Sequence, residues 1–214
     1  MSSTDDIRLV RLAELGAVVG ATGLVTLGLM FAIEVPSGGP YRFGTINDLT
    51  GTAFNVLLVP VALRVARDAR PTPALRLATA GALVAAAAGA VLPLLLVGGA
   101  MSFETQAPLV VACIEVQSLW LIALGRGMRG VPRRARLARV SQLVGAGFVG
   151  GSVLFGAGFL APEGSLLRTL LWAGGGIVGA LGYLGWPYWF HAVGRTLDRG
   201  AHEAESKELA WTPS

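Results

Sequence analysis

Glu115 is the side chain in this sequence best placed to do chemistry, because it is an acid inside the apolar run PLVVACIEVQSLWLIALG, residues 108–125. Counted from the start of that run it is about seven residues in. At a rise of about 1.5 Å per residue, it lies roughly 10 Å below the outer boundary of a membrane core about 30 Å thick. No Lys or Arg falls at that depth, and an ionised, unpaired carboxylate there is costly, so the carboxyl is expected to be protonated or to face water. Asn55 falls at nearly the same depth in another apolar run. Asp48, Thr52 and Asn55 share one helical face by their spacings of four and three, and Ser118 lies one turn from Glu115. Glu115, Asn55, Asp48, Thr52 and Ser118 therefore form a candidate polar pocket open to the outer side. Thr22, Thr26 and Ser152 come to a comparable level. Such a pocket suits binding or movement of a small or amphiphilic solute, with Glu115 carrying a proton. The same residues admit a plainer reading, in which Glu115 and Asn55 bond each other, or a carbonyl freed by Pro60, as glue between helices. Gln117 projects about 200° away from Glu115 around the helix and is expected to bond another helix or an inner seam.

The elements that must hold these residues are membrane-spanning helices. The chain is 53% hydrophobic and only 14% charged, with mean hydropathy +0.63, too little polar surface to cover a soluble globule. Apolar runs predict six spans, at about 12–33, 47–65, 77–97, 108–125, 140–160 and 169–190, with a tail over 191–214. The fold class is thus an all-α polytopic bundle forming one domain. Between the fourth and fifth spans lies RGMRGVPRRARLAR, residues 126–139, with six arginines: Arg126, Arg129, Arg133, Arg134, Arg136 and Arg139. Basic residues beside spans stay cytoplasmic, so this loop orients its neighbours and, by alternation, the rest. With both termini cytoplasmic, 15 of the 17 basic residues lie inside and only Arg42 and Arg168 outside. The expected location is the plasma membrane, with these arginines also touching anionic lipid headgroups. Trp186, Tyr188, Trp189 and Phe190 at the inner end of the last span read as an interfacial aromatic belt, and His191 as an interfacial hydrogen-bonder.

Small residues recur every four positions: Gly16 and Gly20; Gly81, Ala85 and Gly89; Gly147 and Gly151; Gly175 and Gly179. In lipid such faces let backbones approach closely. Packing within the chain is the first expectation and a homodimer seam the second. Pro60, Pro93 and Pro187 each free a carbonyl four residues earlier and are expected to adjust the shape of their helices.

Several function classes fall away. The net charge of +4 comes from short clusters between spans, which does not suit nucleic acid. Cys113 is the lone cysteine and His191 and His202 the only histidines, without neighbours at ligand spacing, so neither a disulfide nor a metal site is expected, and no cofactor is implied. The only lysine, Lys207, lies in the tail, which excludes a retinal Schiff base within the bundle. Beside the solute-binding reading stand a non-catalytic accessory or interaction protein, docking through the arginine loop, and a lipid- or isoprenoid-modifying enzyme. The enzyme is disfavoured because no paired carboxylates or nucleophile and base are visible.

The stretches FGTINDLTGTAFNVLLVPVALRVAR, Phe43 to Arg67, and WPYWFHAVGRTL, Trp186 to Leu197, resemble those of small, uncharacterised six-helix membrane proteins of GC-rich bacteria. The resemblance implies a plasma-membrane protein and carries no activity.

Overall fold

Each long apolar run becomes a helix because, in lipid, only intra-helical bonds satisfy the backbone. The structure, a computed structural model, describes residues 3–131 and 134–210. Its helices are α1 (Ser3–Leu29), α2 (Val35–Ser37), α3 (Arg42–Arg67), α4 (Pro73–Val97), α5 (Phe103–Gly127), α6 (Ala135–Gly158) and α7 (Leu166–Ala210). A π-helical turn, Met30–Glu34, joins α1 to α2 and makes them one continuous rod. Among the described residues six helices are long and apolar enough to cross a membrane: Asp6–Ser37, Arg42–Arg67, Pro73–Val97, Phe103–Gly127, Ala135–Gly158 and Leu166–Asp198. The chain is a multi-pass, all-helical membrane protein. The helices outrun the predicted spans because their polar ends stay helical beyond the apolar core. In particular, α7 continues without a break through residues 191–210, where the sequence suggested a separate tail.

Local chemistry sets the ends. Thr72 caps α4, its Oγ1 accepting from the Leu75 amide at 3.1 Å, and Pro73 occupies the first turn, where a missing N–H costs nothing. Gly38, Gly99, Gly130 and Gly164 take φ between 70° and 85° in the turns that reverse the chain. At the start of α3 the cap comes from another element. Glu34 accepts from the amides of Phe43 at 2.8 Å and Gly44 at 3.1 Å, so a buried carboxylate satisfies two open donors at the positive end of a helix dipole.

The helices pack in chain order, α1 on α3, α3 on α4, α4 on α5, α5 on α6 and α6 on α7, and α7 closes on α1. The result is a closed ring with two unlike ends. One end carries the turns at 38–41, 98–102 and 159–165. The other carries the chain start, the turn at 68–72 and the arginine segment. At this arginine end Asp6, Arg64, Asp68 and Arg134 form a half-buried ion cluster. Arg64 reaches Asp6 at 3.3 Å and pairs with Asp68, which Arg134 also meets at 2.6 Å.

The ring is filled unevenly. Its dense core, built on Leu58, Val61, Val65, Trp120, Leu124, Met128, Leu137, Trp189, Phe190 and Val193, occupies the arginine half. This corrects the expected aromatic belt. Trp186, Trp189 and Phe190 are at most 3% exposed, and only Tyr188, 46% exposed, faces outward. Because α7 does not stop at residue 190, residues 186, 189, 190, 193 and 197 form an inward stripe at helical spacing. Trp189 meets Trp120, Trp186 and Phe190 edge to face, and its Nε1 donates to Ser141 Oγ at 2.9 Å.

The glycine faces are used inside the chain. A Cβ on Gly151 would lie 2.3 Å from the Gly179 amide nitrogen, one on Gly175 2.5 Å from that of Phe155, and one on Gly182 2.3 Å from that of Phe148. These contacts zip α6 to α7 at backbone distance. On α1, Gly16 admits the ring of Phe190 and Gly20 admits Phe54 and Pro187.

Candidate functional site

The half of the ring away from the arginines holds a partly open cavity of about 100 Å³, room for several ordered waters or one small organic molecule. Five helices contribute to its wall: α1 (Gly20, Gly23, Leu24), α3 (Asn47, Asp48, Thr50, Gly51, Phe54, Asn55), α4 (Gly89, Pro93), α5 (Gln106, Val110, Ile114, Gln117) and α7 (Tyr183, Trp186, Pro187). The sixth, α6, lies behind. Glycines open the space: beneath Gly23 sit Thr50 and Asn47, and beneath Gly89 sits the amide of Asn55.

The polar groups are concentrated on two facing helices. From α5, Gln117 Nε2 donates to Asn55 Oδ1 on α3 at 2.8 Å, and Asn55 Nδ2 in turn donates to the Gly51 carbonyl at 2.9 Å. Nearer the turns, the Gln106 side chain faces the Asp48 carboxyl, and Tyr183 of α7 approaches the same group. Pro93 and Pro187 deprive the carbonyls of Gly89 and Tyr183 of their helical donors, and all four residues line the cavity. The wall thus holds one carboxylate and four side-chain amides, set among the rings of Phe54, Tyr183 and Trp186. Among the described residues no His, Cys, Asp and Glu come together in a group able to hold a metal.

Of the five residues singled out from the sequence, two line this cavity, Asp48 and Asn55. Thr52 turns to the α3–α4 seam, its hydroxyl donating to the Ala90 carbonyl at 3.0 Å. Ser118 is fully buried between α5 and α6, where its carbonyl lies 2.4 Å from the position a Cβ of Gly145 would take. Glu115, half-buried on the same side of α5, does not reach the wall, and its Oε1 is buried without a hydrogen-bond partner. The grouping of Glu115 with Asn55 is therefore replaced: the partner of Asn55 is Gln117, on the opposite side of α5. Thr22 and Thr26 spend their hydroxyls on carbonyls of their own helix.

The sequence reading passed over Asn47, Gln106 and Tyr183, and it assigned Trp186 to the membrane interface rather than to a cavity wall. A signal existed for Gln106, since it stands eleven residues, or three helical turns, before Gln117 and so on the same face of α5, with Val110 and Ile114 between.

Among the six arginines chosen as lipid contacts, Arg126, Arg129, Arg136 and Arg139 are exposed. Arg129 donates to Gln142 at 2.9 Å and Arg136 to the Tyr188 hydroxyl at 2.7 Å. Arg134 instead is held in the ion cluster, and Arg133 lies outside the described residues. Comparison with protein-family models, curated proteins and solved structures returns no match.

Proposed function

We propose that this membrane protein binds, and through that binding moves or senses, a small solute held in the central cavity around Asp48, Asn55, Gln106 and Gln117. The observation that carries the reading is placement: a cavity lined by five helices gathers four amides and a carboxylate in a bundle whose other half is filled by a dense, largely apolar core. Polar groups inside a membrane bundle are costly unless they bond one another, water or a ligand, and they mark binding sites and pathways. The cavity lies at the end opposite the arginines, so with those arginines cytoplasmic it belongs to the outer half of the plasma membrane. The buried Trp186, Trp189 and Phe190 close it from the other side, and movement across the membrane requires these rings and the Gln117–Asn55 bond to shift.

The test is native mass spectrometry of the protein in mild detergent, wild type beside Val110→Phe, which fills the cavity, and Val111→Phe, which adds the same ring at a position 47% exposed on the same helix. A small molecule retained by wild type and Val111→Phe but lost from Val110→Phe supports the reading. If all three retain the same molecules, or none, the cavity is not a binding site.

A further inference from the structure

We infer that the cavity takes an organic cation, an amine or quaternary ammonium of small size, held by the Asp48 carboxylate and the rings of Phe54 and Trp186. This rests on the cavity being a binding site and adds the chemical class of its ligand. The first argument is charge. Asp48 is the only acidic side chain in the wall, and the wall contains no Lys, Arg or His. Arg64 pairs with Asp6 and Asp68, Arg134 with Asp68, and Arg168 with Glu163, and among the described residues Asp48 forms no ion pair. The Gln106 side chain hydrogen-bonds the Asp48 carboxyl and the Tyr183 phenol lies within its electrostatic reach, and neither supplies a positive charge. A carboxylate half-buried among apolar helices is stabilised most by a counter-charge that comes and goes with a ligand, whereas an anionic ligand meets repulsion.

The second argument is the shape and chemistry of the remaining wall. Phe54 and Trp186 pack edge to face with ring centroids 5.8 Å apart, and both border the cavity. Aromatic faces attract ammonium groups, strongly so when water is excluded, and accommodate their alkyl substituents. Beside these rings the wall offers the Asp48 carboxylate and the amide oxygens of Asn47, Asn55, Gln106 and Gln117, and no cationic side chain. A bare metal ion would leave the apolar majority of this surface unused.

The experiment measures binding by calorimetry and thermal stabilisation of the intact protein in detergent, using three probes of similar size: benzylamine, benzyl alcohol and benzoate, with tetramethylammonium as a fourth. Benzylamine or tetramethylammonium should bind at least tenfold more tightly than benzyl alcohol, with benzoate weakest. Asp48→Asn should lower the affinity for the cations at least tenfold and leave that for benzyl alcohol within about twofold. Equal binding of cation and alcohol by the wild-type protein overturns the inference without recourse to any variant. If no cation binds while Val110→Phe still displaces a retained molecule in native mass spectrometry, the cavity binds a solute but the cation class is wrong. If neither occurs, both readings fall.

Discussion

Gln117 and Asn55 meet across the bundle at 2.8 Å, a side-chain hydrogen bond between α5 and α3 at the depth where the cavity gives way to the apolar core. Gly89 makes the meeting possible, since a Cβ there would stand 2.9 Å from the Asn55 Nδ2. One helix thus leaves out a side chain so that two others can join their amides. This bond is both the innermost polar feature of the cavity and a tie between non-adjacent members of the ring, and its strength is measurable. In a double-mutant cycle of Asn55→Ala and Gln117→Ala, unfolded in mixed micelles, the coupling energy should be about 1 kcal/mol, the scale of side-chain bonds within membrane bundles. A coupling near zero means that water replaces the bond at no cost.

Glu34 makes the entry to α3 a tertiary cap, and its removal should be felt across the bundle. Glu34→Ala is expected to destabilise by about 1–2 kcal/mol, the upper range for a lost helix cap, because two amides lose their acceptor. Glu34→Gln retains one acceptor oxygen without the charge and should lose less. Thermal unfolding of the three proteins in one detergent checks the order, and equal stability of wild type and Glu34→Ala would falsify the cap.

The α6–α7 seam tolerates no added atom at Gly151 or Gly182, whereas Gly150, one residue away, has nothing within 4 Å of a Cβ. Gly151→Ala and Gly182→Ala should reduce the monodisperse yield and lower the melting temperature. Gly150→Ala should leave stability within about 0.5 kcal/mol of wild type, as surface changes do. Matching behaviour of all three in size-exclusion and melting experiments contradicts the backbone contact.

Because Glu115 stands outside the cavity wall, Glu115→Gln should retain whatever molecule the wild type carries in native mass spectrometry, while Val110→Phe loses it. Glu115→Gln should also fold, since Oε1 forms no hydrogen bond that the amide would break. Loss of the bound molecule from Glu115→Gln would move the site to the α5–α6 side.

The arginine end predicts the orientation. In a Cys113→Ala background, a membrane-impermeant maleimide added to intact cells should label Ala100→Cys, in the turn at the cavity end. Ala74→Cys, exposed at the arginine end, should react only after the cells are opened. The reverse pattern inverts the topology and places the cavity in the inner half.

Much of this protein could be read along the chain. Six apolar runs of sufficient length dictate six helices, because a backbone in hydrocarbon has no other way to satisfy itself, and Pro71, Pro73 and the glycines of the turns divide one helix from the next. The four-residue glycine spacing announced close helix contacts, and Asp48 and Asn55 were visible as polar residues on one face of α3. What the chain alone did not decide was which faces meet. Asn55 was equally able to bond Glu115 or Gln117, since both lie on α5 near its depth; the ring order turned the Gln117 face to the cavity and left Glu115 off its wall. The aromatic cluster shows the same limit: the residue types of Trp186, Trp189 and Phe190 suit a membrane interface as well as a core, and only the continuation of α7 past residue 190 placed them inside. Depth follows from counting residues, which the sequence supplies, whereas azimuth follows from the packing of all six helices at once, and that exists only in the tertiary structure.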